Sequence, residues 1–248
     1  MQQPQQILSL EFILIPKSSS RLETYSTYPQ DAWDLLSPQL TEARRLRILK
    51  TVAQRTRHVR LVAQDVHQPH NVSACIRSAE GFGVQCIDVV TLKTKFDTST
   101  VARGVDHWVD IKRHPSISEC SDRLHAEGFL IAAAFPYGDA VTLDELPVDK
   151  PVALVFGNEH EGLHPTWREH SDVRFTIPMA GIVESLNISV CAAISLYAVT
   201  QKARKSLPAE QYYLSAEDQR DLLNRWICQQ ISSWELQLPL LRTKNMNR

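Results

Sequence analysis

The chain reads as an α/β protein built on a mostly parallel sheet, and two features of the sequence point there. From Val59 onward short apolar runs alternate with helical patterns, the βαβα rhythm of parallel strands joined by crossover helices. Three of the runs, at 129–135, 151–156 and 173–178, are apolar almost without interruption, as strands covered on both faces are. At 248 residues, 43% hydrophobic and 22% charged, the chain fits one ordinary domain with appendages.

The elements follow in order. Residues 1–38 start Gln-rich, carry Ser18-Ser19-Ser20 and several prolines, and are expected to form an extension that is loosely packed or ordered only by a partner. Between residues 40 and 57, Leu40, Ala43, Leu46, Leu49, Val52 and Ala53 recur at helical spacing, with most of the arginines opposite: an amphipathic basic helix. The pattern then predicts a strand at 60–66, a helix at 71–82 closed by Gly83, and a strand at 85–91. A short helix near 98–103 leads to a strand at 108–111, and Ser116-x-x-Glu119 is a capping box for a helix that Gly128 ends. A long helix at 187–206 turns Ile188, Cys191, Ile194 and the small pair Ala192-Ala193 to the core. Ser215-x-x-Asp218 caps a final helix bearing Leu222, Leu223, Trp226 and Ile227. The division is therefore an extension at 1–38, the main domain at 39–206 and a helical tail at 207–248.

Charge is gathered rather than scattered. Residues 41–60 hold Arg44, Arg45, Arg47, Lys50, Arg55, Arg57 and Arg60 against Glu42 alone, in a chain of net charge −1. Lys202, Arg204 and Lys205 form a second, smaller group. Clusters like these neutralise phosphates, although a solvated helix face has the same composition. The five cysteines lack any C-x-x-C or zinc-like spacing, so they read as buried thiols of a reducing cytoplasm. The apolar run at 8–15 is too short to span a bilayer and lacks the flanks of a signal peptide. Neither a G-x-G-x-x-G turn nor a Walker loop is present, which disfavours an ordinary nucleotide-binding fold.

Three segments share a strand–loop–helix form that gathers backbone amides, a hydroxyl or a carboxamide at one spot. They are His70-Asn71-Val72-Ser73-Ala74-Cys75-Ile76-Arg77, then Phe156-Gly157-Asn158-Glu159-His160-Glu161-Gly162-Leu163, then the stretch from Ile177-Pro178 to Ser185-Leu186-Asn187-Ile188-Ser189-Val190. In this order they resemble the three motifs of the SpoU/TrmH-type RNA 2'-O-methyltransferases of the SPOUT superfamily, over roughly residues 40–206. Within the superfamily, the phrase Asp65-Val66-His67-Gln68-Pro69-His70-Asn71 is most similar to the tRNA guanosine-18 enzymes.

The resemblance implies a deep trefoil knot in the C-terminal part of the sheet, S-adenosylmethionine held by loops, and a homodimer with shared sites. It implies cofactor contacts at Pro136, Gly157, Ile177 and Leu186, and catalytic roles for Asn71, Arg77, Glu159, Ser185 and Asn187, with no metal. RNA contacts are expected at Arg44, Arg45, Arg47, Lys50 and Arg55. By residue type alone Asn71 also reads as a helix N-cap, and the alternative for Arg77 is a salt bridge with Glu80 or a distant carboxylate. Relatives acting on ribosomal RNA or another tRNA position share every motif, and a non-catalytic RNA-binding relative would have lost Arg77 or the Ser-x-Asn pair.

Overall fold

The core strands form where the sequence is apolar on both parities. In β1 (Val59–Gln64) all six residues are buried, as are all five in β2 (Cys86–Val90) and in β6 (Val152–Phe156). Along β6 the parities part: Val152, Leu154 and Phe156 face one core, Ala153 and Val155 the other. The computed structural model describes residues 28–66, 68–93, 104–105, 107–136, 138–183 and 185–246. The helix expected near 98–103 and the first 27 residues of the extension lie outside them.

Before β1 come α1 (Ala32–Leu36), a 3-10 turn at Ser37–Gln39 and α2 (Glu42–Val52). After it come α3 (Pro69–Gly81), β2, β3 (Asp110–His114), α4 (Ile117–Ala126), β4 (Leu130–Ala134), β5 (Val141–Thr142), β6, α5 (Trp167–His170) and β7 (Val173–Thr176). The chain continues through α6 (Ile188–Ser206), α7 (Ala209–Tyr212), α8 (Ala216–Gln230) and α9 (Trp234–Met246). Among the described residues seven strands make one sheet in the order β3-β2-β1-β6-β4-β7-β5, with every pairing parallel. Helices α3 and α6 cover one face, α4 and α5 the other. Because β6 and β7 flank β4, the loops leaving β4, β6 and β7 emerge side by side at one edge.

Both expected caps are present: Ser116 Oγ accepts the Glu119 amide at 3.1 Å and Ser215 Oγ the Asp218 amide at 3.1 Å. Gly83 and Gly128 close α3 and α4 with φ of 83° and 81°. The strand expected at 108–111 starts two residues later and runs to His114, paired along its length with β2.

The flanks differ from expectation in four ways. Residues 32–36 are not a loose extension, since Ala32, Trp33 and Leu36 are buried in a second core with Leu222, Leu223, Trp226 and Ile227 of α8. Hydrogen bonds hold them there, from the Trp33 amide to Asn224 Oδ1 (2.9 Å) and from Asn224 Nδ2 to the Gln30 carbonyl (3.1 Å). The tail carries a further helix, α9, in the same core through Leu238. The basic helix ends at Val52, and Thr56 is already bridged to Val84 beside the sheet. Its buried face is Ile48 and Val52, while Ala43 and Leu46 are exposed; likewise Ile194 of α6 points outward and Ser195, Leu196 and Val199 inward. Equal hydrophobicity at two helix positions does not say which neighbour arrives to cover them.

Candidate active site

Chain segments from all three motifs meet at the edge where β4, β6 and β7 end. The loops after these strands enclose a cavity of about 760 Å³, within the range that holds a nucleoside-sized ligand. Pro136, Gly157, Ile177 and Leu186 all line it, as do Glu159 and Ser185. So does Cys191, which its helical spacing assigns to the core.

A hydrogen-bonded chain runs along the cavity rim. Asn187 caps α6, its Oδ1 accepting the Ser189 amide at 2.9 Å, and its Nδ2 donates to Asn71 Oδ1 at 3.2 Å. Asn71 Nδ2 in turn donates to Glu159 Oε1 at 2.5 Å. Asn71 is not an N-cap: Gln68 holds that position, and Asn71 is buried as the third residue of α3, in its first turn. Its donor amide needs an acceptor there, and the Glu159 carboxyl supplies it and is oriented by the bond.

Arg77 lies on the same helix but apart from this chain. Six residues on from Asn71 it is turned well around the helix axis, is exposed, and does not line the cavity. It is not half-buried, as its apolar neighbours in sequence suggest. Nor is Glu80 its partner, because the Glu80 carboxylate pairs with Arg55 at 2.7 Å. Ser185 is exposed on the rim.

The second-motif loop is built by its own residues. Asn158 Oδ1 accepts the amides of His160 (2.9 Å) and Glu161 (2.6 Å), and the backbone of Asn158 bridges Gly162. A Cβ on Gly157 would lie 2.0 Å from the Gly162 carbonyl carbon, so this glycine is required by the loop folding against itself. An Asn followed by a Gly four residues later was the available signal for that turn.

Arg55, expected to contact RNA, is instead buried in the protein. It is 1% exposed, bonds the Glu80 carboxylate and carbonyl, and lies over the Trp226 ring. Burial lowers its pKa, with Glu80 opposing. Arg44 is half-buried, donating to Gln230 Oε1 at 2.8 Å and lying over Trp108. Arg47 and Lys50 are exposed and Arg45 is half-buried. Four cysteines are buried and Cys191 half-buried; burial pushes the Cys75 thiol up to about 12 and Cys86 to about 11, so they are packing groups.

The fold and site have known counterparts. The profile of the SpoU rRNA methylase family matches residues 58–197, more than half of the chain. The chain belongs to this family. SpoU members are S-adenosylmethionine-dependent methyltransferases, and so is this chain. It is 32% identical over 188 residues to a tRNA (guanosine(18)-2'-O)-methyltransferase of Thermus thermophilus, covering 75% of this chain and 97% of that one. An Escherichia coli protein of the same name is 32% identical over 73% of this chain and 81% of its own. Among solved structures, the Aquifex aeolicus TrmH/SpoU tRNA modifying enzyme superposes with a TM-score of 0.67 at 27% identity, over 77% of this chain and 98% of that one. The Streptomyces viridochromogenes SpoU methyltransferase AviRb, solved in complex with AdoMet, gives 0.55 at 27% identity over 64% and 63%.

The SpoU cavity suits its cofactor in kind as well as size. Ile177 and Leu186 offer apolar surface for an adenosyl group, and residues 177–183 lie outside any strand or helix, leaving backbone groups for polar contacts. Among the described residues no helix is long and apolar enough to cross a membrane.

Proposed function

We propose that this SpoU methyltransferase methylates the ribose 2'-hydroxyl of guanosine 18 in tRNA, as a cytoplasmic homodimer whose C-terminal sheet region is threaded as a deep trefoil knot. The names of its relatives support the substrate. The observation that carries the mechanism is the chain Asn187–Asn71–Glu159 on the cavity rim, with Arg77 presented outward from the same helix as Asn71.

The cofactor supplies an electrophilic methyl group on a sulfonium. Pro136, Gly157, Ile177 and Leu186 form its walls, and the Asn71–Glu159 pair fixes the rim on which the ribose rests, beside Ser185. Arg77 is not a base, since guanidinium stays protonated in proteins. It would clamp a backbone phosphate, aim the 2'-oxygen and stabilise the charge that grows there; the proton would leave to that phosphate or to water as the C–O bond forms and the methyl–sulfur bond breaks, leaving a neutral thioether. Arg45, Arg47 and Lys50 supply phosphate contacts farther out.

Arg77 faces away from the cavity of its own chain, which supports sites completed by a second copy. The outer face of α6 supports the pairing: Val190, Ile194 and Tyr197, at helical spacing, are each at least 40% exposed. An apolar stripe of this kind is what a partner helix covers.

Mapping 2'-O-methyl sites in RNA from cells with and without the gene tests the substrate, and loss of methylation at a ribosomal or other tRNA position alone would reassign it. For shared sites, Arg77→Ala is mixed with a cavity-filling Leu186→Trp chain; mixed dimers should regain one working site. Mixed dimers that form and stay inactive would place each site within one chain.

A further inference from the structure

A buried polar pair outside all three motifs links two of the loops that form the site. Gln64 and Asp65, at the exit of β1, are each 2% exposed. Asp65 has φ 46°, in the left-handed region that Asp and Asn tolerate best among residues with a side chain. Its Oδ1 accepts the amides of Leu92 (2.8 Å) and Lys93 (3.0 Å) after β2, and its Oδ2 accepts Gln64 Nε2 at 3.3 Å. Gln64 Oε1 accepts the amide of His164 at 2.8 Å, just beyond the loop that carries Glu159. Burying a carboxylate here is costly; the amides of Leu92, Lys93 and His164 and the Gln64 carboxamide offset that cost, and so the pair fixes the spacing of the segments it joins.

We propose that Gln64 and Asp65 are positioning residues for methyl transfer. They tie the exit of β1, which leads through Pro69 into α3 and Asn71, to the 157–164 loop that carries Asn71's partner Glu159. The separation of Asn71 and Glu159, and with it the shape of the cavity rim, is set through them. This rests on the reading of Asn71 and Glu159 as active-site residues.

A paired substitution isolates the hydrogen-bond pattern. Asp65→Asn keeps the backbone conformation and an oxygen for Leu92 and Lys93, but sets an NH₂ group against Gln64 Nε2. The Gln64 amide must turn over, and the His164 amide loses its acceptor. Adding Gln64→Glu restores the pattern, because the new carboxylate accepts both from the amide at position 65 and from His164.

Two readouts follow, amide exchange at His164 in cofactor-free protein and kcat per folded molecule at saturating cofactor and tRNA. Asp65→Asn should speed the exchange and lower kcat roughly ten- to a hundredfold, the scale of a small misplacement of reacting groups. The double substitution should bring both back towards the starting protein. Unchanged kcat in folded Asp65→Asn protein, with only stability reduced, overturns the proposal, as does a double variant that regains His164 protection and not kcat. If the starting protein methylates no tRNA, the substrate reading has failed, and exchange with cofactor affinity still decides the pair: identical values in single and double variants overturn it.

Discussion

The basic run from residue 44 to residue 60 divides into two regions with opposite fates. On α2, Arg47 and Lys50 stand in solvent and Arg45 is half-buried. Just downstream, Arg55 and Arg60 are each 1% exposed and held by carboxylates from distant parts of the chain. Arg60 lies between Glu127 and Asp88, itself fully buried, and over the Phe129 ring. Burial works against the charge on Arg60, but Cys86, Asp88 and Glu127 more than offset it and raise its pKa. Arg57 bonds Asp218 of α8 at 2.5 Å. A charge cluster in sequence is thus not a charge patch in space: Arg45, Arg47 and Lys50 keep exposed surface, whereas Arg55, Arg57 and Arg60 pair with carboxylates of α3, α8, β2 and the turn after α4.

The largest expected effect is on the buried side. Arg60→Met should cost about 3–5 kcal/mol in denaturant unfolding, because it removes the buried cation from between Glu127 and Asp88, leaving Asp88 to its contact with the His114 ring at 2.8 Å. A loss under about 1 kcal/mol would mean that the cluster relaxes or takes up water, and the contrast with α2 would collapse. Arg77→Ala tests the exposed cation that the proposed mechanism sets on a backbone phosphate. It should lower kcat by roughly 10²–10³, the scale of losing one preorganised donor, while stability stays within about 0.5 kcal/mol and cofactor affinity is unchanged.

The same contrast between interior need and surface freedom separates two glycines of the cavity. Gly157→Ala forces its methyl onto the Gly162 backbone and should cost about 1–3 kcal/mol and weaken cofactor binding, whereas an added Cβ at Gly181 meets nothing within 4 Å and that substitution should be close to neutral. Equal melting temperatures for the two alanine variants would refute the account of the loop.

Smaller again is the RNA term. Arg47→Ala with Lys50→Ala should weaken tRNA binding and flatten its salt slope by about 0.9 for each phosphate that is no longer neutralised, leaving cofactor affinity alone. Titrating tRNA at several salt concentrations checks it, and an unaltered slope would make α2 an ordinary solvated face.

The smallest effect is in acid. Burial raises the Glu127 pKa, but Arg60, Lys112 and Arg123 together hold it below the ordinary value of 4.5. A carboxylate with a depressed folded pKa stabilises above its unfolded pKa and loses that contribution as pH falls through the folded one. The stability difference between the starting protein and Glu127→Gln should therefore be steady above pH 4.5 and close below it, as acid unfolding curves would report. A difference that persists at low pH would mean that Glu127 acts by packing.

The sequence by itself determined the α/β class, most element positions, both capping boxes, and the order of the three segments that meet at the cavity. These depend on local pattern: nearly continuous apolar runs, helical spacing, side-chain caps, and loops at strand ends. The cavity-lining positions of Pro136, Gly157, Ile177 and Leu186 were legible through the resemblance to the SpoU/TrmH motifs, since by residue type alone Ile177 and Leu186 read as plain core.

What only the tertiary structure decided is which groups face each other across long separations. That Glu80 belongs to Arg55 rather than Arg77, that Trp33 is buried against α8, and that Gln64 bonds His164 all depend on partners 25 to 191 residues away. Charge and hydrophobicity say what a side chain needs. They do not say which of several equivalent groups will supply it, because the supplier is chosen by the packing of the whole sheet and its helices.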